Sequence, residues 1–255
     1  MIKILLILFV LLSLLAGGDR TAKSLMTTAI NISIFALLIE LIYLGFSITI
    51  TTAISILLIT AVTIFYQNET NIKTVCAFIS VVLVLVISAL LISFVVTHAH
   101  LQGFGTIGDV KIQPSNGYEE NIGINMLLVQ IAVFIVILVG GLIDTAMAVC
   151  SGTYEVIRHN SELSRTEVVE SGTNIGSKIL SSNINTLLFI FAGEFMIMCI
   201  NFLKFYSWST LINSKDFAQE FIAIMISAIG TVIIIPISSL ISSRLMTRDR
   251  TNIYL

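Results

Sequence analysis

Runs of apolar residues long enough to cross a bilayer constrain this chain more than any other feature. Hydrocarbon offers no partner for a peptide N–H or C=O, so a crossing segment must satisfy its backbone internally. For unbroken runs of about 20 residues that means α-helix. Six segments qualify, near 24–44, 46–66, 74–97, 122–143, 184–204 and 219–243. A seventh, 3–17, is shorter and has the look of a signal peptide, with Lys3 as its basic start and Ala16-Gly17-Gly18 as its exit. The apolar fraction of 56% and charged fraction of 11% leave no room for a separate water-soluble domain. The expected fold is all-α, a single integral membrane domain over 1–255 with about seven spans, or six if the first is cleaved.

Charge placement orients it. With an external N-terminus, one side collects Arg20, Lys23, Lys73, Arg158, Arg165, Lys178, Arg244, Arg248 and Arg250. The other keeps Lys3, Lys111, Lys204 and Lys215. This bias predicts N-terminus out and C-terminus in, and argues against cleavage of the first segment. Residues 98–121 then form an outer loop and 144–182 a cytoplasmic, amphipathic helical one. Cys76 and Cys199 lie in apolar runs and Cys150 just past one, so all three read as packing residues.

Glu194 lies inside the apolar run 184–204 with no basic residue beside it. An ionised carboxylate there is costly unless it is protonated, hydrated or bound to a cation. Asn183, Thr186, Ile190, Gly193 and Glu194 share one arc of a helix, a polar line that suits either a pathway or a packed face. Upstream, Ile143, Met147, Cys150, Tyr154 and Ile157 recur at helical spacing, so the fifth helix is expected to continue past the membrane boundary. Gly140, Gly141, Asp144, Ala148, Ser151 and Glu155 accompany that stripe with small and polar side chains, which permits close helix packing. Asp144 is then an inner gate group or simply a wetted interfacial carboxylate. Ser164-Arg-Thr-Glu167 is a capping box, predicting a short helix that ends near Gly172. The polar stretch to Asn183 should lead into a fresh helix start, able to hold an anion or a facing carboxylate. Glu40, Thr49, Thr51, Thr52 and Gln130 are expected to wet an outer cavity, although threonines also bond their own helix.

Other patterns carry less. Gly103-Phe-Gly105-Thr-Ile-Gly108 matches a dinucleotide fingerprint but follows a membrane helix and precedes Pro114, outside any βαβ context. His98 and His100 offer a weak metal site with Asp109, Glu119 or Glu120. Asn68-Glu-Thr70 fits a glycosylation sequon on the side expected to be internal. No nucleophile, zinc-protease or phosphate-loop pattern occurs, and neither an enzyme, a cofactor nor a nucleic-acid partner is expected.

The succession Ala99-His-Leu-Gln-Gly103-Phe, Gly140-Gly141-Leu-Ile-Asp144-Thr-Ala-Met-Ala, Ser171-Gly-Thr-Asn-Ile-Gly176 and Asn185-Thr-Leu-Leu-Phe189 resembles the YibE/F-like bacterial membrane proteins. The match covers about 98–194. Its length is similar to the shorter, F-type member of the usual pair. That resemblance implies a multi-pass bacterial plasma-membrane protein of permease type, often encoded beside a longer paralogue. It maps the family's Asp in the Gly-rich helix to Asp144 and its Asn-Thr-Leu to Asn185, Thr186 and Leu187. Gly176-Ser177-Lys178 stands where family members often have Gly-Arg-Asp, so a role for that pair does not carry over. Two functions are expected on these grounds. One is a secondary transporter or permease subunit for a small solute or ion, with Glu194 exchanging a proton or cation. The other is a non-transporting membrane scaffold that pairs with a paralogue or with itself.

Overall fold

The computed structural model describes residues 1–103, 123–160, 162–204 and 206–248. Its elements are α1 (Ile2–Tyr43), α2 (Ile48–Ala61) continued by one π turn (Val62–Tyr66), α3 (Ile72–His98), α4 (Met126–His159), α5 (Arg165–Leu203), the short α6 (Trp208–Ile212) and α7 (Lys215–Arg248). No strand occurs among the described residues.

α1 is 42 residues long, which at about 1.5 Å per residue is roughly twice the thickness of a hydrocarbon core. It is not straight. Gly18 has φ 54° and ψ −139°, a conformation that costs a side-chain-bearing residue dearly and glycine little. The expected spans at 3–17 and 24–44 are therefore two arms of one broken helix. Among the described residues six helices, rather than seven, are long and apolar enough to cross a membrane. The first arm is exposed over nearly its whole length. The second lies along α2 and its π turn, with Asn31 donating to Thr63 at 2.8 Å and Lys23 3.5 Å from Glu69.

Local chemistry sets the helix starts. Asn71 caps α3, accepting from the Thr74 N–H at 3.1 Å. Asn125 caps α4 through the N–H groups of Leu127 and Leu128. Ser164 caps α5, and the Glu167 carboxylate accepts from the Ser164 N–H at 2.7 Å. The capping box is where the sequence places it.

Beyond the box the chain departs from expectation. α5 runs unbroken to Leu203, so there is no stop at Gly172 and no second helix start near Asn183. The N–H groups around Asn183 lie within the helix, and the anion site expected there does not exist. Gly172 and Gly176 serve contact instead. A Cβ on Gly172 would stand 2.8 Å from both Ser239 Oγ and Thr153 Oγ1, and one on Gly176 2.5 Å from Ile235 Cγ2. Small residues let α5 press its backbone against α4 and α7, the usual way helices associate where lipid removes the hydrophobic drive.

α4 and α7 are the central pair, flanked by α3 on one side and α5 on the other. Contacts of Gly141 with Thr231 and of Cys150 with Ser242 make α4 and α7 parallel. α5 runs against both. The core combines wholly buried Phe134, Leu138, Leu142, Ile157, Ile234 and Met246 with a line of hydroxyls. Ser238, Ser239 and Thr231 bond carbonyls of their own helix, which satisfies a buried hydroxyl without water.

Candidate functional site

α4 carries the stripe Ile143, Cys150 and Ile157 into the core, all at most 4% exposed. Its small and polar residues divide. Gly141 meets α7, and a methyl group placed on it would stand 3.1 Å from Thr231 Cγ2. Gly140 has no described neighbour within 4 Å of its Cβ position, and Ala148 is half-buried. Asp144 is turned to the exposed side of α4 and does not face a partner helix head-on. Its neighbour Thr145 is fully buried and accepts from Asn183 Nδ2 at 3.0 Å. That bond sets the register of α5 against α4.

Eleven residues further along α5, about 16 Å by helical rise, comes Glu194. It lies on the exposed face, and Gly193 beside it has no described atom within 4 Å of a Cβ position. The expected helix contact through Gly193 is thus not made among the described residues. Asp144 and Glu194 are not brought together either. They mark two separate levels of the bundle.

Glu194 has an acidic neighbour that sequence reasoning missed. Glu220, on α7, interacts electrostatically with Glu194 and with Asp216. On the same stretches of α5 and α7 four rings pack together. Phe191 stacks on Phe195 at 5.0 Å, Phe217 on Phe221 at 5.6 Å, and the two pairs meet edge-on at 5.7 to 5.9 Å. Both carboxylates are exposed in the described structure. The readable signal was Asp216 and Glu220 four apart together with Phe217 and Phe221 four apart. Placing the span boundary at 219 left Asp216 and Phe217 outside the helix, which in fact begins at Lys215.

The remaining candidates scatter. Thr186 bonds the Ser182 carbonyl at 2.9 Å, and Asn185 is exposed one residue earlier on α5. Glu40 is exposed on α1. Gln130 accepts from Gln219 Nε2 at 3.3 Å. The same amide donates to the carbonyls of Leu101 and Gly103, and Lys215 donates to that of Gln102. This cluster ties the chain after α3 to α4 and α7. The cleft that Thr49 and Thr52 line is apolar, and neither Glu40 nor Gln130 is part of its lining.

His98 Nδ1–H donates to its own helix at Phe94 O, 2.8 Å away, and its ring lies tilted against the Phe94 ring. Asp109, Glu119 and Glu120 lie outside the described residues, as does most of the glycine motif. Among the described residues no group of three His, Cys, Asp or Glu side chains is placed to hold a metal.

With this geometry in place, comparison adds the family. Residues 5–248 match the description of YibE/F-like proteins, and the chain belongs to that family. No curated protein and no solved structure matches it. It is a YibE/F-like, multi-pass membrane protein.

Proposed function

We propose that this YibE/F-like protein is a subunit of a permease for a small solute or ion in the bacterial plasma membrane, with its N-terminus outside and its C-terminus inside. Glu194, working with Glu220, binds the coupling proton or cation. Asp144, at the other level, is the inner gate group, and Asn183 and Thr186 line the route between them.

The observation that carries this reading is the outward-facing carboxylate. Acidic side chains in membrane helices face a bundle interior or a water-filled cavity. Glu194 is exposed within a single chain, and much of α5 around it is bare, with Phe189 and Ile197 each 76% exposed. A second subunit laid on α5 converts that face into an interior and places Glu194 and Glu220 on a shared pathway. A longer paralogue or a second copy of this chain fits that position.

Proteoliposomes loaded with a pH-sensitive dye test the proposal under imposed cation gradients, with the paralogue co-reconstituted. Wild type should move protons or cations, and Glu194→Gln should abolish the flux while inserting normally. Unchanged flux in Glu194→Gln refutes the assignment. The bare α5 face also favours a second reading, in which the chain is a scaffold only. That reading predicts loss of complex formation with a bulky residue at Gly193 and no flux in any variant.

A further inference from the structure

α2, α3 and α4 enclose a cleft of about 400 Å³. Its walls are hydrocarbon, with Ile48, Ile56, Leu85, Leu128, Ile131 and Ile135 prominent. The gap exists because each helix turns an alanine toward it, Ala53 from α2, Ala89 from α3 and Ala132 from α4. Along α3 it extends from Val82 to Ser93, about 16 Å by helical rise. Thr49 and Ser93 are exposed at its Ser47 end.

One buried polar group lines it. Thr52 is only 3% exposed, and its hydroxyl has no hydrogen-bond partner among the described residues. Its neighbours behave otherwise. Thr51 bonds back to Ser47 O at 2.8 Å, and Thr60 to Ile56 O at 2.7 Å. Self-satisfaction is the ordinary fate of threonine in a membrane helix, and a buried hydroxyl left without a partner is costly. Thr52 sits five residues into the helix from its cap at Ser47, about 7 Å deep. Thr49, exposed at the mouth, is three residues from Thr52, about 4.5 Å along the helix, within reach of the ester carbonyl of a lipid whose headgroup rests at that mouth.

We propose that the cleft binds one acyl chain of a membrane phospholipid, whose ester carbonyl accepts a hydrogen bond from Thr52. The lining selects this occupant: hydrocarbon walls about 16 Å long carry one buried hydroxyl without a described partner, which matches an acyl chain with a single ester acceptor at its head. Mostly apolar lining with one directed polar group is the usual make-up of a lipophilic ligand site.

Native mass spectrometry of the delipidated protein tests this, with dipalmitoyl phosphatidylglycerol as probe and palmitate in parallel. Wild type should retain one phospholipid per chain in preference to palmitate. Ala89→Phe, which fills the cleft, should weaken retention at least tenfold. Thr52→Val keeps the shape and removes one neutral hydrogen bond, which should weaken it about fivefold. Unchanged binding in Ala89→Phe, or preference for palmitate, overturns the proposal. If Ala89→Phe does not fold, Thr52→Val decides, since it removes a hydroxyl with no described protein partner and must unfold at the wild-type temperature when lipid-free. Wild-type affinity in that variant also overturns the proposal.

Discussion

Replacing Gly176 by alanine tests the reading that glycine here serves helix contact. The added methyl would lie 2.5 Å from Ile235 Cγ2, 2.9 Å from Ile235 Cγ1 and 3.0 Å from Val149 Cγ2. Both neighbours are β-branched residues in helices, where one χ1 rotamer dominates, so neither side chain can swing aside. They also belong to two different helices, α7 and α4, so α5 cannot back away from one without disturbing the other. Overpacking of this kind costs about 1–3 kcal/mol, and the stiffness of the site puts it near the upper end. Against that stands about 1 kcal/mol gained by replacing a mid-helix glycine with alanine. The net expectation is a loss of about 2 kcal/mol. Gly140→Ala supplies the opposite case, because no described atom lies within 4 Å of its Cβ position. Only the propensity gain of about 1 kcal/mol remains there. A thiol-reactive dye reads both variants during heating, since Cys76 and Cys150 are fully buried until the bundle opens. Cys199, which is only partly buried, is replaced by serine throughout so that it adds no early signal. Gly176→Ala should open at a lower temperature than its parent and Gly140→Ala at a higher one. If Gly176→Ala melts at or above the parent temperature, the close approach of α5 to α4 and α7 is wrong.

Three further outcomes are expected. A double-mutant cycle with Asn183→Ala and Thr145→Val should give a coupling of about 0.6 kcal/mol, the usual worth of a hydrogen bond between membrane helices, and zero coupling would place α5 in another register. Gln219→Leu removes the amide that holds Leu101, Gly103 and Gln130, so hydrogen exchange at Leu101–Gly103 should quicken while the α4–α7 core stays protected. At the start of α5, which is far longer than a membrane is thick and so begins outside it, the Ser164 hydroxyl and then the Ser164 N–H hold the Glu167 carboxyl below its ordinary value. Its stabilisation is therefore complete above the ordinary carboxylate range and lost as pH falls through the lowered value. Ser164→Ala should remove that acid sensitivity from amide exchange in the first turn, and an unaltered profile would exclude the cap as its cause.

The sequence by itself determined that the chain is a helical membrane bundle, because hydrocarbon forbids unsatisfied backbone and apolar run length is a local property. It also determined the capping box at Ser164 and Glu167, whose partners are three residues apart, and the buried stripe of α4, which needs only helical period. The family was legible from the glycine and Asn-Thr-Leu segments, since they are linear motifs. Tertiary structure decided the rest. Gly172 and Gly176 look like helix stops until Thr153, Ser239 and Ile235 are seen pressed against them. Gly193 looks like a packing residue until its surroundings prove empty of described atoms. Glu220 is unremarkable in sequence and becomes Glu194's neighbour only when α7 lies antiparallel to α5. Glycine, carboxylate and threonine are ambiguous in a membrane helix for one physical reason. What each does depends on which surface lies a few ångströms away, and helical period says which face a residue occupies but not what covers it.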